Sequence, residues 1–66
     1  MPECEHVVRE GDTLWSIAAV TLRTEDAQRI ARYWPRIHRA NRTLIGRNPN
    51  LIFPGQVLRL PAECDP

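Results

Sequence analysis

The 66-residue sequence has no lysine, only three glycines and two cysteines, and a net charge of only +1. No apolar run approaches the roughly 20 residues that a membrane-spanning helix needs. The first ten residues include three glutamates and lack the apolar segment of a signal peptide. Such a balanced charge gives no general electrostatic argument for nucleic acid or an acidic membrane surface. We therefore expect no membrane span, no nucleic-acid partner and no signal peptide in this chain.

The length of the chain allows one small domain and no second core. A hydrophobic content of 42% and a charged content of 26% are typical of a globular domain and not of a disordered tail. A domain of this size buries only about 60% of the surface that its unfolded chain exposes, so its stability should be modest. We expect a monomeric module excised from a longer protein.

The first element predicted is a strand over Glu5–Glu10, which is rich in β-branched residues. Gly11 can take the positive φ of a tight turn, and either Asp12 or Thr13 is expected to cap a helix that runs to about Leu22. The buried face of this helix is predicted from the spacing of Leu14, Ile17 and Ala18.

The middle of the chain predicts more helix, starting from a cap at Thr24 with Glu25 and Asp26 in its first turn. Helical spacing then joins a set of mostly apolar positions: Ile30, Trp34, Ile37, Asn41 and Leu44. Pro35 removes a backbone donor within this run. We favour a short helix that ends near Arg32, followed by another with Pro35 in its first turn, over a single kinked helix.

The last third predicts a structured loop over residues 44–55, in which Pro54 and Gly55 form a type II turn. A closing strand follows over Gln56–Leu60 and is stopped by Pro61. Two strands at opposite ends of the chain can share a sheet only by pairing with each other, most simply antiparallel, and such a ribbon must pack on the helices. The predicted core consists of Val8, Leu14, Ile17, Ala18, Ile30, Ile37, Leu44, Ile52, Leu58 and Leu60.

Two separated blocks, residues 7–18 and 48–61, with Ile37-x-x-x-Asn41 between them, resemble the LysM (lysin motif) domains. The first block contains Gly-Asp-Thr-Leu at residues 11–14. The resemblance implies an α+β fold in the order βααβ, a two-stranded antiparallel sheet with helices packed on one side. It makes residues 1–66 a single LysM domain with its core in residues 6–61. Residues 23–33 exceed the usual inter-helix link, which implies an extra helical turn or short helix around residues 25–33, as in many bacterial members.

The resemblance also implies a function, that of a non-catalytic module that binds N-acetylglucosamine-containing glycans. Peptidoglycan of the cell wall is the expected partner, together with the covalently linked domains of a parent protein, and chitin is a second candidate. The family's groove lies between two loops, which here would be Gly11, Asp12, Thr13 and Leu14 on one wall and Asn48, Pro49, Asn50, Leu51 and Ile52 on the other. Turn formation and helix capping alone also explain these residues. The alternative function is a protein-interaction or assembly module in a bacterial secretion, phage-tail-like or stress-response complex, without glycan binding.

No arrangement of residues predicts catalysis, so we expect no enzyme, no cofactor and no metal. The carboxylates have no partner at the spacing of a glycosidase pair, and His6 and His38 are predicted to be surface or half-buried structural residues. We favour interpreting the four arginines at helical spacing as a solvated face balanced by Glu25 and Asp26, over a surface that meets an anionic wall polymer, a nucleic acid or an acidic partner. These arginines are Arg29, Arg32, Arg36 and Arg39. Trp34 is predicted to pack in the domain, and the role of Trp15 is open.

Antiparallel pairing of the terminal strands predicts a disulfide between Cys4 and Cys64, favoured over two free thiols and over a metal site with His6. A bond that closes nearly the whole chain would stabilise it by about 4 kcal/mol. It would also imply an extracytoplasmic or cell-wall location.

If the disulfide forms, a thiol reagent applied under denaturing, non-reducing conditions will detect no free thiol in the purified chain. The same chain after reduction serves as the control and will show two. Two reactive thiols before reduction would contradict the prediction.

Overall fold

A computed structural model describes residues 5–61. They form strand β1 (Glu5–Val7), helices α1 (Leu14–Leu22), α2 (Ala27–Ala40) and α3 (Arg42–Ile45), and strand β2 (Val57–Arg59). The two strands pair antiparallel, with His6 opposite Leu58. The α+β prediction with βααβ order is confirmed, with α3 as a short addition. None of the helices within residues 5–61 has the length and apolar content that a bilayer crossing requires. Cys4 and Cys64 lie outside the described residues.

Both strands are shorter than predicted, because each changes into turn structure that still pairs. Beyond β1, the amide of Val8 donates to the Gln56 carbonyl at 2.8 Å, and the Val8 carbonyl accepts from Gly55 at 2.8 Å. Gly55 has a φ of +94°, and the Gln56 amide donates to Phe53, which agrees with the predicted turn at Pro54-Gly55. The end of the long loop is thereby attached to the first strand.

Helix α1 begins with a reciprocal cap. The Thr13 hydroxyl accepts from the Ser16 amide at 3.0 Å, and the Ser16 hydroxyl accepts from the Thr13 amide at 2.9 Å. Serine thus takes the place that glutamate or glutamine usually holds in a capping box. Of the two predicted caps, Thr13 is confirmed, which leaves the Asp12 carboxylate available for other contacts.

The link between α1 and α2 contains the first correction. Thr24 does not cap α2, because the residue before the helix is Asp26, whose carboxylate accepts from Gln28 at 2.9 Å. Thr24 instead accepts from the Asp26 amide at 3.0 Å, within the link. Arg23, in the left-handed region at a φ of +53°, ends α1. The extra helical length predicted around residues 25–33 is the first half of α2.

Pro35 does not divide the helix, so the prediction of two helices meeting there was wrong. Helix α2 continues through Pro35 for 14 residues. Its buried face, Ile30, Tyr33 and Ile37, packs into the shared core on both sides of the proline. Proline costs a helix one hydrogen bond, here to the carbonyl of Ala31, an exposed residue where water can substitute. Tertiary packing therefore outweighs the local propensity of proline.

The core agrees with the prediction at seven of its ten positions, which are Val8, Leu14, Ile17, Ala18, Ile30, Ile37 and Leu58. Ile52 and Leu60 are partly buried against it. The prediction that Leu44 is buried was wrong, because Leu44 is 51% exposed and Ile45 is buried instead. The short helix α3 shifts the phase of the pattern after Asn41. Tyr33 was the other omission, and its hydroxyl donates to the Pro61 carbonyl at 3.0 Å.

Asn41 is buried and connects the helices to the sheet. Its side-chain nitrogen donates to the carbonyls of Ile37 and Arg59, each at 2.7 Å, and its side-chain oxygen accepts from the Arg59 amide at 2.8 Å. Within residues 5–61, no buried side-chain polar atom lacks a hydrogen-bond partner. Asn41, the one polar residue in the apolar pattern, therefore fixes α2 to strand β2 through its side-chain hydrogen bonds.

Replacing Asn41 with alanine is expected to lower the free energy of unfolding by roughly 2–3 kcal/mol, because partly buried backbone groups of Arg59 lose their partners. Urea denaturation of the two chains measures the difference. Asn50→Ala, at an exposed asparagine whose side chain forms no hydrogen bond within residues 5–61, is the matched control and should cost less than about 1 kcal/mol. Equal losses in both variants would contradict the role given to Asn41.

Candidate functional site

The loop between β1 and α1 is a tight turn held by Asp12. The Asp12 amide donates to the Arg9 carbonyl at 3.0 Å, and Gly11 has a φ of +89°. The Asp12 carboxylate accepts from the Arg9 amide and from Nε2 of His6, both at 2.9 Å. The hydrogen bond with His6 is the main cause that lowers the pKa of Asp12 below its usual value of 3.8, and the Arg9 amide lowers it further. Asp12 therefore fixes the turn through its hydrogen bonds to His6 and Arg9.

The loop after α3 is also held by side-chain hydrogen bonds. Nε2 of His38 donates to the Gly46 carbonyl at 2.7 Å, which attaches the start of the loop to α2. The side-chain oxygen of Asn48 accepts from the Asn50 amide at 2.9 Å, and the Asn48 carbonyl accepts from Leu51 at 3.1 Å. Asn48 thus forms an Asx turn.

A cleft of about 300 Å³ lies between these loops. Six residues line it: Thr13, Leu14, Trp15, Trp34, Pro49 and Asn50. The first three come from the start of α1, Trp34 comes from the middle of α2, and the last two come from the second loop. The cleft is at the small end of the range for small-molecule sites.

Four of the nine predicted ligand-binding residues line the cleft, and five do not. Thr13, Leu14, Pro49 and Asn50 face each other across it. Gly11 and Asp12 form the turn just before Thr13, and Asn48 forms the Asx turn that contains Pro49 and Asn50. Leu51 is 52% exposed, and Ile52 packs against the core. For all nine residues, contact with a ligand stays a prediction.

Two cleft residues were absent from the predicted site, namely Trp15 and Trp34. Trp15 is 44% exposed, and Trp34 is half-buried and packs against the core, as predicted for it. The signal for Trp34 was its spacing of four from His38, which places both on one side of a continuous helix. The predicted break at Pro35 obscured that relation.

The chemistry available in the cleft is mainly apolar, with a few polar groups. Two indole rings and the proline ring offer flat apolar faces, and the indole N–H groups can donate hydrogen bonds. The side-chain amide of Asn50 forms no hydrogen bond within residues 5–61, so it can both donate and accept. Such a set suits a neutral ligand with apolar faces and amide or hydroxyl groups.

The remaining candidate residues have structural surroundings. His6 and His38 are partly buried and hydrogen-bonded, as predicted. Within the described range, no set of histidine, cysteine, aspartate and glutamate side chains is arranged to hold a metal ion. The continuous α2 helix places the four arginines on one side. Neither Arg29 nor Arg32 forms an ion pair with Glu25 or Asp26 within residues 5–61, and the interpretation of the four arginines as a solvated face stays a prediction.

In this small α+β domain, two hydrogen-bonded loops meet beside a helical pair, with a cleft between them. The LysM domain model matches residues 6–21 and 27–61, so this chain belongs to the LysM family. Members of this family are generally non-catalytic modules that bind N-acetylglucosamine-containing glycans, and they are usually extracellular or associated with the cell wall. Residues 22–26, which end α1 and link it to α2, are unmatched.

Comparison with curated proteins and with solved structures gave no match. The family and the geometry of the cleft therefore carry the functional argument.

The pH dependence of stability tests the role of Asp12. Because its pKa is lowered in the folded state, its ionised carboxylate stabilises the fold above the pKa of the unfolded chain. This contribution is lost as the pH falls through the lowered folded-state pKa. Asp12→Asn is expected to cost roughly 1 kcal/mol at neutral pH, and its difference from the unchanged chain should shrink below about pH 4.

Urea denaturation at several pH values measures this difference. Glu10→Gln is the charge-matched control, because Glu10 is exposed and forms no hydrogen bond or ion pair within residues 5–61. A loss for Asp12→Asn that stays constant down to acidic pH would argue against the carboxylate as its source.

Proposed function

We propose that this chain is a non-catalytic carbohydrate-binding module that recognises N-acetylglucosamine-containing glycans, peptidoglycan first and chitin second, in the cleft between its two loops. The observation that carries the proposal is the cleft itself, with two indole rings and the Asn50 amide between two hydrogen-bonded loops. The family of the chain supports the same ligand class.

The composition of the cleft fits the chemistry of an acetylated amino sugar. A sugar ring has an apolar face that packs on an indole, and Trp15 presents such a surface to solvent. The acetamido group can pair with one donor and one acceptor, and the side-chain amide of Asn50 offers both. Its methyl group fits beside Leu14 and Pro49. No charged side chain lines the cleft, as expected for a neutral glycan.

The small cleft predicts weak binding to a single site, since it contacts few sugar residues at once. Modules of this kind gain strength when they are linked to others or tethered to a larger protein, because the second binding event becomes intramolecular. We infer that the chain anchors a parent protein to a glycan of the cell wall. A disulfide between Cys4 and Cys64 would agree with that location.

The test is a titration with oligomers of N-acetylglucosamine, monitored through backbone and indole NMR shifts. We expect shifts at residues 11–14 and 48–52 and at the indole groups of Trp15 and Trp34. Trp15→Ala should weaken binding about tenfold, because it removes the exposed stacking surface.

Phe53→Ala is the matched control, because Phe53 is 59% exposed and lies outside the cleft lining. It should leave the affinity unchanged. An absence of shifts at millimolar ligand would refute glycan binding and favour the assembly function. Equal effects of the two aromatic substitutions would refute the assignment of the cleft.

A further inference from the structure

A second cleft, of about 330 Å³, lies on the other side of α2 and is lined by arginine. Arg29, Arg32 and Arg36 surround it, and Leu22 and Tyr33 complete its lining. We propose that this surface, the arginine cleft, binds an acidic peptide segment that carries one apolar side chain between carboxylates. This inference is independent of glycan binding.

Charge provides the first argument. Residues 27–61 contain seven arginines and no aspartate or glutamate, and the acidic residues of the chain all lie outside that range. Neither Arg29 nor Arg32 forms an ion pair with another residue of the described part of the chain. Like charges three or four residues apart on a helix repel each other. An anionic partner would relieve that repulsion.

The geometry of the arginines provides the second argument. Arg29, Arg32 and Arg36 are spaced by three and four residues, so they lie along one face of the uninterrupted helix α2. A planar guanidinium group can bind a carboxylate through two parallel hydrogen bonds. Successive arginines on this face can therefore grip carboxylates that follow each other along an extended peptide.

The apolar lining decides between an acidic peptide and other polyanions. Leu22 is half-buried and packs against the core, so an apolar side chain of the partner can rest on it between the guanidinium groups. A phosphate polymer has no group that uses such a floor. The Tyr33 ring is only 3% exposed and offers no platform for stacking a nucleobase, as single-stranded nucleic acid would need.

The arginine cleft and the cleft between the two loops, here called the loop cleft, are on different sides of the same helix. Arg32 and Arg36 are each two positions from Trp34. Around the helix axis their side chains therefore lie about 160° from that of Trp34, on the opposite side of α2. The two clefts share no lining residue. A peptide and a glycan can therefore occupy the domain together, and each surface can be removed without the other.

The test measures binding of a fluorescent, end-capped glutamate peptide with one central phenylalanine. Arg29→Gln with Arg32→Gln is expected to weaken binding about tenfold or more. The matched control is Arg42→Gln with Arg59→Gln, which removes the same charge from exposed residues outside the cleft and should change binding less than about twofold. Equal losses in the two double variants would overturn the proposal, because the attraction would then be non-specific.

Further arms test the chemistry of the partner. Replacing the phenylalanine of the probe with serine should weaken binding, and no change would overturn the role of the apolar floor. Tighter binding of a thymidine oligonucleotide or of polyphosphate than of the peptide would overturn the choice of an acidic peptide. A chain with Glu63→Gln and Asp65→Asn lacks the acidic side chains of the last four residues and tests whether these acids affect binding. The peptide should bind the unchanged chain and this variant. If it binds neither of them, the proposal is overturned, and binding to the variant alone would overturn it for the unchanged chain.

The outcome is separable from that of the glycan titration. Trp15→Ala should leave peptide binding unchanged, and the arginine double variant should leave the glycan-induced NMR shifts unchanged. Loss of both activities in either variant would contradict two independent surfaces.

Discussion

The arrangement of this domain depends on the side-chain amide of Asn41, whose hydrogen bonds connect helix α2 to strand β2. A two-stranded ribbon is not stable alone in water, so it must be fixed to the helices. Asn41 does this at the end of α2, through three hydrogen bonds to Ile37 and Arg59. A hydrophobic residue would fill the same volume but would leave the backbone groups of Arg59 unpaired. The orientation of the sheet against α2 therefore rests on a polar contact inside an apolar core.

The position of α2 in turn determines where both loops lie. Trp34 forms one side of the loop cleft, and His38, one turn further along, holds the second loop through Gly46. The first loop is fixed by its own turn and by the contact between Asp12 and His6. Both loops are hydrogen-bonded in the absence of a ligand, so the proposed binding would cost little conformational entropy. A small cleft can then bind usefully, provided that the module is tethered or repeated.

The sequence predicted the order of elements, a helix cap at Asp12 or Thr13 and most of the core, because these depend on local periodicity and capping chemistry. It failed where tertiary packing opposes a local preference, as at Pro35, whose helix is held by Ile30, Tyr33 and Ile37. The prediction for Leu44 was wrong because the short helix α3 shifts the buried position by one residue, from Leu44 to Ile45. In the site, the loops were recognisable as motifs. The tryptophans were not, because their proximity depends on how α1 crosses α2.

The departure of this chain from the LysM pattern has a definite place in the fold. The unmatched residues 22–26 begin with Leu22, which lines the arginine cleft, and continue through the link that starts α2. The loop cleft is built entirely from matched residues. A change at that link can alter the start of α2 without moving the loop cleft, because that side of the helix is fixed separately by Trp34 and His38. The unmatched residues thus lie outside the lining of the loop cleft, and of the arginine cleft they supply only Leu22, whose four other lining residues are matched.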